Sequence, residues 1–288
     1  HALHSPLMSI TNAISGMTMV GGMMQLGGGI LPSTPAQYLA ATAVGLSSVN
    51  LAGGFLVTQK MLAMFQRPDD PDEYNEFYFI PAAAAVGTAG LLYGLGAASA
   101  LPALGLGSAL GCIGGISCLS QQSTARLGVV VGMSGVGMGL TATVGAMALN
   151  GADASTFAQL ALFGSVGGTA GYFVAQRISP TSLPEAVAAF HSLVGVAACA
   201  TAVADWMVVD PSHVDTFHNL FTYLGAWMGS ITCTGSIIAY GKLSGNIDSA
   251  PLKLAARDTI NIGMGAGSVA AMGLFMATGD PTLQAISL

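Results

Sequence analysis

The sequence predicts an all-α fold, a polytopic helical membrane bundle of about nine transmembrane helices with a tenth beginning at the C-terminal end. Three observations carry this. Of 288 residues only 7 are Lys or Arg and 13 are Asp or Glu, so 7% are charged where a soluble domain carries about 25%, too few to cover a water-facing surface. Hydrophobic residues make up 52% and the mean hydropathy is +0.67, so the solvent is lipid. In lipid the backbone must satisfy its own hydrogen bonds, which leaves helices or closed barrels. The alternating segments of roughly ten residues that mark a barrel are not evident, and helices remain.

A hydrocarbon core of about 30 Å takes about 20 residues of helix. Between polar breaks the apolar stretches run over 5–29, 36–59, 77–98, 101–120, 128–149, 156–176, 185–207, 216–241 and 258–278. The first is rich in methionine, and Met8, Met17, Met19, Met23 and Met24 read as packing residues. The second ends at Lys60. The linker at 60–76, with its Arg67-Pro68-Asp69-Asp70-Pro71-Asp72-Glu73 run, is the least lipid-like stretch. The chain is therefore organised as a first pair of transmembrane segments in 1–59, a linker at 60–76 and the remaining helices in 77–288, all one membrane domain. Connections carry Pro102, Pro180, Pro184, Pro211 and Pro251, as helix boundaries do. Asp280-Pro281 reads as a turn into another helix. Residue 1 is a histidine and no charged leader with a cleavage site opens the chain, so the sequence is expected to be a piece of something longer.

If these spans alternate and the side before the first is called A, then Lys60, Arg67, Arg126, Arg177, Lys242, Lys253 and Arg257 all fall on side A. Asp153, Asp210, His213 and Asp215 fall on side B. By the positive-inside rule side A is the cytoplasm of a bacterium or the matrix of a mitochondrion. No basic stripe exists for nucleic acid. The 40 glycines follow no Gly-X-Y period. Several form small-xxx-small ridges, at Gly107, Gly111 and Gly115, at Gly128 and Gly132, at Gly135 and Gly139, and at Gly164 and Gly168 with Gly167 and Gly171 offset, which let helices approach closely. Gly235 to Lys242 lacks the spacing and the Ser or Thr of a phosphate loop. Cys112, Cys118, Cys199 and Cys233 stand singly in apolar runs and read as small packing residues. No metal site is expected.

Ionisable groups at membrane depth are functional candidates. His191 lies about six residues into a span that enters from side A, about 9 Å deep. Ser236, on the following span, lies at matching depth, about 8 Å from the same side. Asn12 sits at similar depth on the first span, and Asn50, preceded by Ser47 and Ser48, somewhat deeper on the second. Such a layer of His, Ser, Thr and Asn can hold a hydrogen-bonded water chain, and histidine exchanges protons near neutral pH. Against this stands the plainer reading of His191 as a neutral core histidine. Asp205, with Trp206 beside it, reads as an interfacial carboxylate, His213 and His218 as loop or interface residues, and His1 and His4 as helix-entry residues.

Four separated strings, HALHSPLMSITNAISG, SSVNLAGGFLVTQKMLAMFQRP, LPEAVAAFHSLVG and TGSIIAYGKLSG, resemble the membrane domain of proton-translocating NAD(P) transhydrogenase. The likeness runs from end to end of the chain. It implies a domain that couples proton movement to hydride transfer between NADH and NADP+. The nucleotides would be bound by NAD(H)- and NADP(H)-binding domains outside these 288 residues, so this chain is expected to bind no cofactor itself. His191 matches the family's proton-channel histidine, Ser236 its channel serine, and Asn12 falls in its TNAI motif. Ser15 stands where some members carry a second histidine. The family's late channel asparagine is expected beyond Leu288. The linker joins what bacterial members often split between subunits, which resembles the fused, mitochondrial-type arrangement and implies the mitochondrial inner membrane, with a bacterial plasma membrane as the alternative. The resemblance also implies a homodimer in a lipid bilayer. Two other classes stay open on the residues alone, a secondary transporter with the polar layer as substrate site, although no repeat between halves is evident, and a structural membrane subunit.

Overall fold

The computed structural model describes residues 10–11, 13–64, 80, 83–84, 87, 90, 101–210, 215–251 and 253–288. Asn12, His1, His4, His213, the linker beyond residue 64 and most of the expected span at 77–98 lie outside the described residues. The described helices are α1 (Met19–Met23), α2 (Pro35–Ala63), α3 (Leu101–Leu119), α4 (Ala125–Leu149), α5 (Ala154–Arg177), α6 (Leu183–Val208), α7 (Thr216–Leu243), α8 (Arg257–Ala277) and α9 (Pro281–Ser287). Every regular element among the described residues is helical, as the composition predicts. Six helices, α2 to α6 and α8, are long and apolar enough to cross a membrane. At 28 residues α7 is long enough, but its Thr, Ser, His and Asn side chains dilute its apolar character.

The first span differs from expectation. Instead of a helix running on to residue 29, a 3-10 turn at Gly16–Thr18 leads into α1, which stops at Met23. The Gly27-Gly28-Gly29 run is apolar enough for lipid yet offers no side chains to pack and the largest backbone entropy to lose. Gly28 and Gly29 accordingly take left-handed φ of +80° and +109°. Gln159 of α5, fully buried, fastens this loop by accepting from the Gly27 N–H at 3.1 Å and donating to the Gly27 carbonyl at 3.2 Å.

Helix starts follow local chemistry. Thr34 and Gln37 form a reciprocal capping box ahead of Pro35, which satisfies N–H groups that no helical partner reaches. Asp153, Asp215 and Asp280 cap α5, α7 and α9 through their carboxylates. At the opposite end of α5, Lys60 Nζ donates to the Ala175 and Gln176 carbonyls at 2.8 and 2.7 Å, a cation at the negative end of the helix dipole.

Helix α2 is the centre of the bundle and packs against α1, α5 and α6, while α3 pairs with α4 and α6 with α7. Glycines set these contacts. A Cβ on Gly111 or Gly115 of α3 would meet Gly135 or Gly132 of α4 at 2.8 Å, so the two backbones touch in antiparallel register. On α5 the working ridge is the offset pair. A Cβ on Gly167 would run into the Gly45 carbonyl and one on Gly171 into that of Val49, whereas Gly164 and Gly168 have ordinary clearance. This makes α2 and α5 parallel. Between α6 and α7 a ridge not anticipated from glycine spacing brings two antiparallel backbones equally close. Gly195 approaches Cys233 and the Gly229 carbonyl, and Gly229 approaches Cys199. Cys199 and Cys233 are thus small residues at a helix crossing, and all four cysteines are free.

Candidate functional site

The α6–α7 crossing fixes the level of the two strongest candidates. Gly195 faces the turn between Gly229 and Cys233, and Cys199 faces Gly229, an antiparallel register that puts His191 of α6 level with Ser236 of α7. Across α2, the Phe190 ring fills the space beside Gly53, so Asn50 of α2 falls within about one turn of the same level. Three polar residues from three helices therefore share one layer, as depth counting along the sequence anticipates. Their surroundings differ. Ser236 and Asn50 are buried, and His191 stands on the exposed face of α6. Asn12 is outside the described residues, although the neighbouring Ala13 rests directly on Gly54 of α2.

Asn50 is completely buried and neither its Oδ1 nor its Nδ2 finds a hydrogen-bond partner among the described residues. A buried amide left unpaired costs about 1–3 kcal/mol, and the usual remedy is an internal water with two or more polar partners. One turn toward side B, Ser47 Oγ shares a 2.7 Å hydrogen bond with Thr18 Oγ1. Ser48 donates to the Val44 carbonyl at 2.8 Å and lies 3.4 Å from Met19 Sδ. The inward face of α2 is thus polar from Ser47 to Asn50 inside an otherwise apolar bundle.

A second polar group was not legible as a unit in the sequence. Near the side-B ends of α6 and α7, the Asp205 carboxylate and the His218 imidazole meet, with Oδ2 and Nε2 at 2.9 Å. Thr222 donates to Asp205 Oδ2 at 3.3 Å and Gln25 to Oδ1 at 3.4 Å. These side chains line a cavity of about 480 Å³ that runs inward past Thr201 to Thr18. Asp205 and His218 are thirteen positions apart across a helical hairpin, so no local spacing marks them as partners; the helix pairing does.

At the membrane surface, Asp153 is held below the ordinary carboxylate range by the Thr156 hydroxyl, the Thr156 backbone N–H and the Ser155 hydroxyl, all of which donate to it. The described cations, Lys60, Arg126, Arg177, Lys242, Lys253 and Arg257, lie at the helix ends or connections that the alternation assigns to side A.

Comparison with known proteins finds two families along the chain. Residues 102–288 match the family described as NAD(P) transhydrogenase beta subunit. Residues 1–67 match a family described as 4TM region of pyridine nucleotide transhydrogenase, mitoch. The chain is 49% identical over 67 residues to an NAD(P) transhydrogenase subunit alpha from Cereibacter sphaeroides, covering 23% of this chain and 12% of that protein. A subunit alpha from Haemophilus influenzae is 49% identical over 70 residues, 23% of this chain and 13% of that protein. The chain thus spans about an eighth of the length of the curated relatives it matches.

Proposed function

The chain belongs to the NAD(P) transhydrogenase beta subunit family, and from that premise we propose that it is the proton-conducting membrane domain of a transhydrogenase whose nucleotide-binding domains lie outside these 288 residues. The observation that carries the proposal is the level shared by His191, Ser236 and Asn50 on three helices of an apolar bundle, with Ser236 and Asn50 buried in it, and this family matches residues 102–288 of that bundle. Hydride transfer between NADH and NADP+ takes place in the domains that bind them. This chain's own work is to carry a proton across the bilayer in step with that transfer.

His191 is the group that takes up and releases the proton, since imidazole does so near neutral pH. Ser236 and Asn50 hold the water that connects it, because a hydroxyl and an amide orient water without titrating. Asn12, on the first span, belongs to the same path. Coupling requires that the protonated and neutral forms of His191 favour different conformations, for a change that affects both equally shifts nothing. The side-A loops around Arg126, Arg177 and Lys242 are where a soluble domain feels that difference.

One chain resembling both a beta-subunit family and proteins named alpha subunits supports a fused arrangement. On that reading the membrane is the mitochondrial inner membrane, side A is the matrix, and the working unit is a homodimer. The test is reconstitution of the whole protein in vesicles with a pH gradient imposed. Hydride transfer should accelerate with one polarity of the gradient and slow with the other. A rate indifferent to the gradient would leave the secondary-transporter and structural-subunit readings.

A further inference from the structure

We propose that the Asp205–His218 pair and the cavity behind it form the side-B mouth of the proton path, a water-filled vestibule that collects protons and delivers them toward the layer at Asn50 and His191. This rests on the proton-conducting function proposed above. It assigns a role to residues that the sequence alone presents as an interfacial carboxylate and a loop histidine.

The geometry is continuous. Asp205 and His218 are each about a third exposed, with side-chain exposures of 32% and 30%, so the pair faces water on one side and the cavity on the other. One helical turn inward from Asp205 lies Thr201, whose Oγ1 is buried with no hydrogen-bond partner among the described residues. Gln25 Oε1, from the segment after α1, is likewise buried and unpaired, while its amide reaches Asp205. Two unpaired polar atoms lining a cavity of about 480 Å³ make a site that water fills, since it has both room and partners. At the inner end stands Thr18, bonded to Ser47 at 2.7 Å, and Ser47 is three residues, or about 4.5 Å along the helix, from the unpaired amide of Asn50. Hydroxyls and amides therefore line the way from the titratable pair to the polar layer.

The chemistry fits the position. Asp205 and His218 are the titratable groups that line the cavity; the polar groups facing them from the segments flanking α1 and from α6 and α7 are the uncharged Thr18, Gln25, Thr201 and Thr222. A proton arriving from side-B water binds the Asp205 carboxylate, 2.9 Å from the buried His218 Nε2, and is shared between them. A proton then leaves the pair to cavity water on the inner side, so the pair returns to its starting charge with no other bond made or broken.

The test uses the whole protein with its nucleotide-binding domains, reconstituted in vesicles, and compares Asp205→Asn, His218→Gln and His191→Ala with the parent. Asp205→Asn and His218→Gln should slow proton-coupled turnover by about tenfold, the low end of what a positioned proton-transfer group contributes. Free imidazole added on side B should restore much of the His218→Gln rate, and imidazole added on side A should not. A purely structural role would give slow variants that imidazole leaves slow, and that result overturns the proposal. So does normal turnover in both variants while His191→Ala is stalled. Normal turnover in His191→Ala as well would instead remove the underlying reading of the function. Should Asp205→Asn not fold, Thr201→Cys in a background free of native cysteines gives an independent answer. A charged thiol reagent should label it from side B, and labelling from side A alone contradicts the vestibule.

Discussion

Replacing Gly229 by alanine is expected to push α6 and α7 apart, and the structure gives the size of the effect. A Cβ at this position would sit 2.6 Å from the Cys199 N and 2.7 Å from the Gly195 carbonyl oxygen, where ordinary contact begins at 3.4 Å. Both obstacles are backbone, so no side chain can rotate away. The helices must separate by about 0.8 Å, a gap that forfeits roughly a quarter to a half of the dispersion energy along the seam. Overpacking of this kind costs about 1–3 kcal/mol, set against a gain of about 1 kcal/mol in helix propensity for alanine over glycine. A net loss of up to about 2 kcal/mol follows. Gly235, on the same helix, has nothing within 4 Å of its would-be Cβ, so Gly235→Ala keeps only the propensity gain. Thermal unfolding of the purified protein in detergent should show Gly229→Ala melting below the parent and Gly235→Ala at or above it. Equal behaviour of the two variants would refute the claim that the crossing is held at backbone contact.

Other consequences concern the side-B loops. Because hydrogen bonds hold the Asp153 carboxylate below its ordinary range, its contribution to the start of α5 is fully present above the unfolded value of about 4 and is lost as the pH falls through the lower folded value. Hydrogen exchange at residues 154–157 should accelerate under strongly acidic conditions in the parent, and Asp153→Ala should exchange quickly at every pH. Gln159→Leu removes both hydrogen bonds to Gly27 and leaves that half-buried peptide unpaired, at a cost of about 1 kcal/mol. The 24–31 loop should then be cut faster by protease while α5 itself stays protected.

Much of this architecture is written in composition and polarity. The scarcity of charge and the lengths of the apolar runs specify an all-helical membrane bundle, because lipid permits few other solutions. Depth along a helix is equally legible, since a fixed rise per residue turns sequence position into height; that is why His191 and Ser236 could be matched before their helices were known to be partners. Lateral relations are different. That Gly167 and Gly171, not Gly164 and Gly168, touch α2 depends on the rotation of α5 about its axis. The pairing of Asp205 with His218 depends on which faces α6 and α7 turn toward each other. Glycines at four-residue spacing permit several such faces and select none. The early end of α1 was hidden for another reason, since a hydropathy count rates three consecutive glycines as membrane-compatible while backbone entropy breaks the helix there.

The central claim is that the layer at His191 carries the protons that this domain couples to hydride transfer. Its most direct test is proton uptake per hydride transferred, read with a pH-sensitive dye in vesicles holding the whole protein with His191→Ala, against parent and His191→Asn. The account predicts that both variants lose gradient-driven proton movement, with the fold intact by thermal unfolding. Proton uptake at the parent's rate in His191→Ala would contradict it.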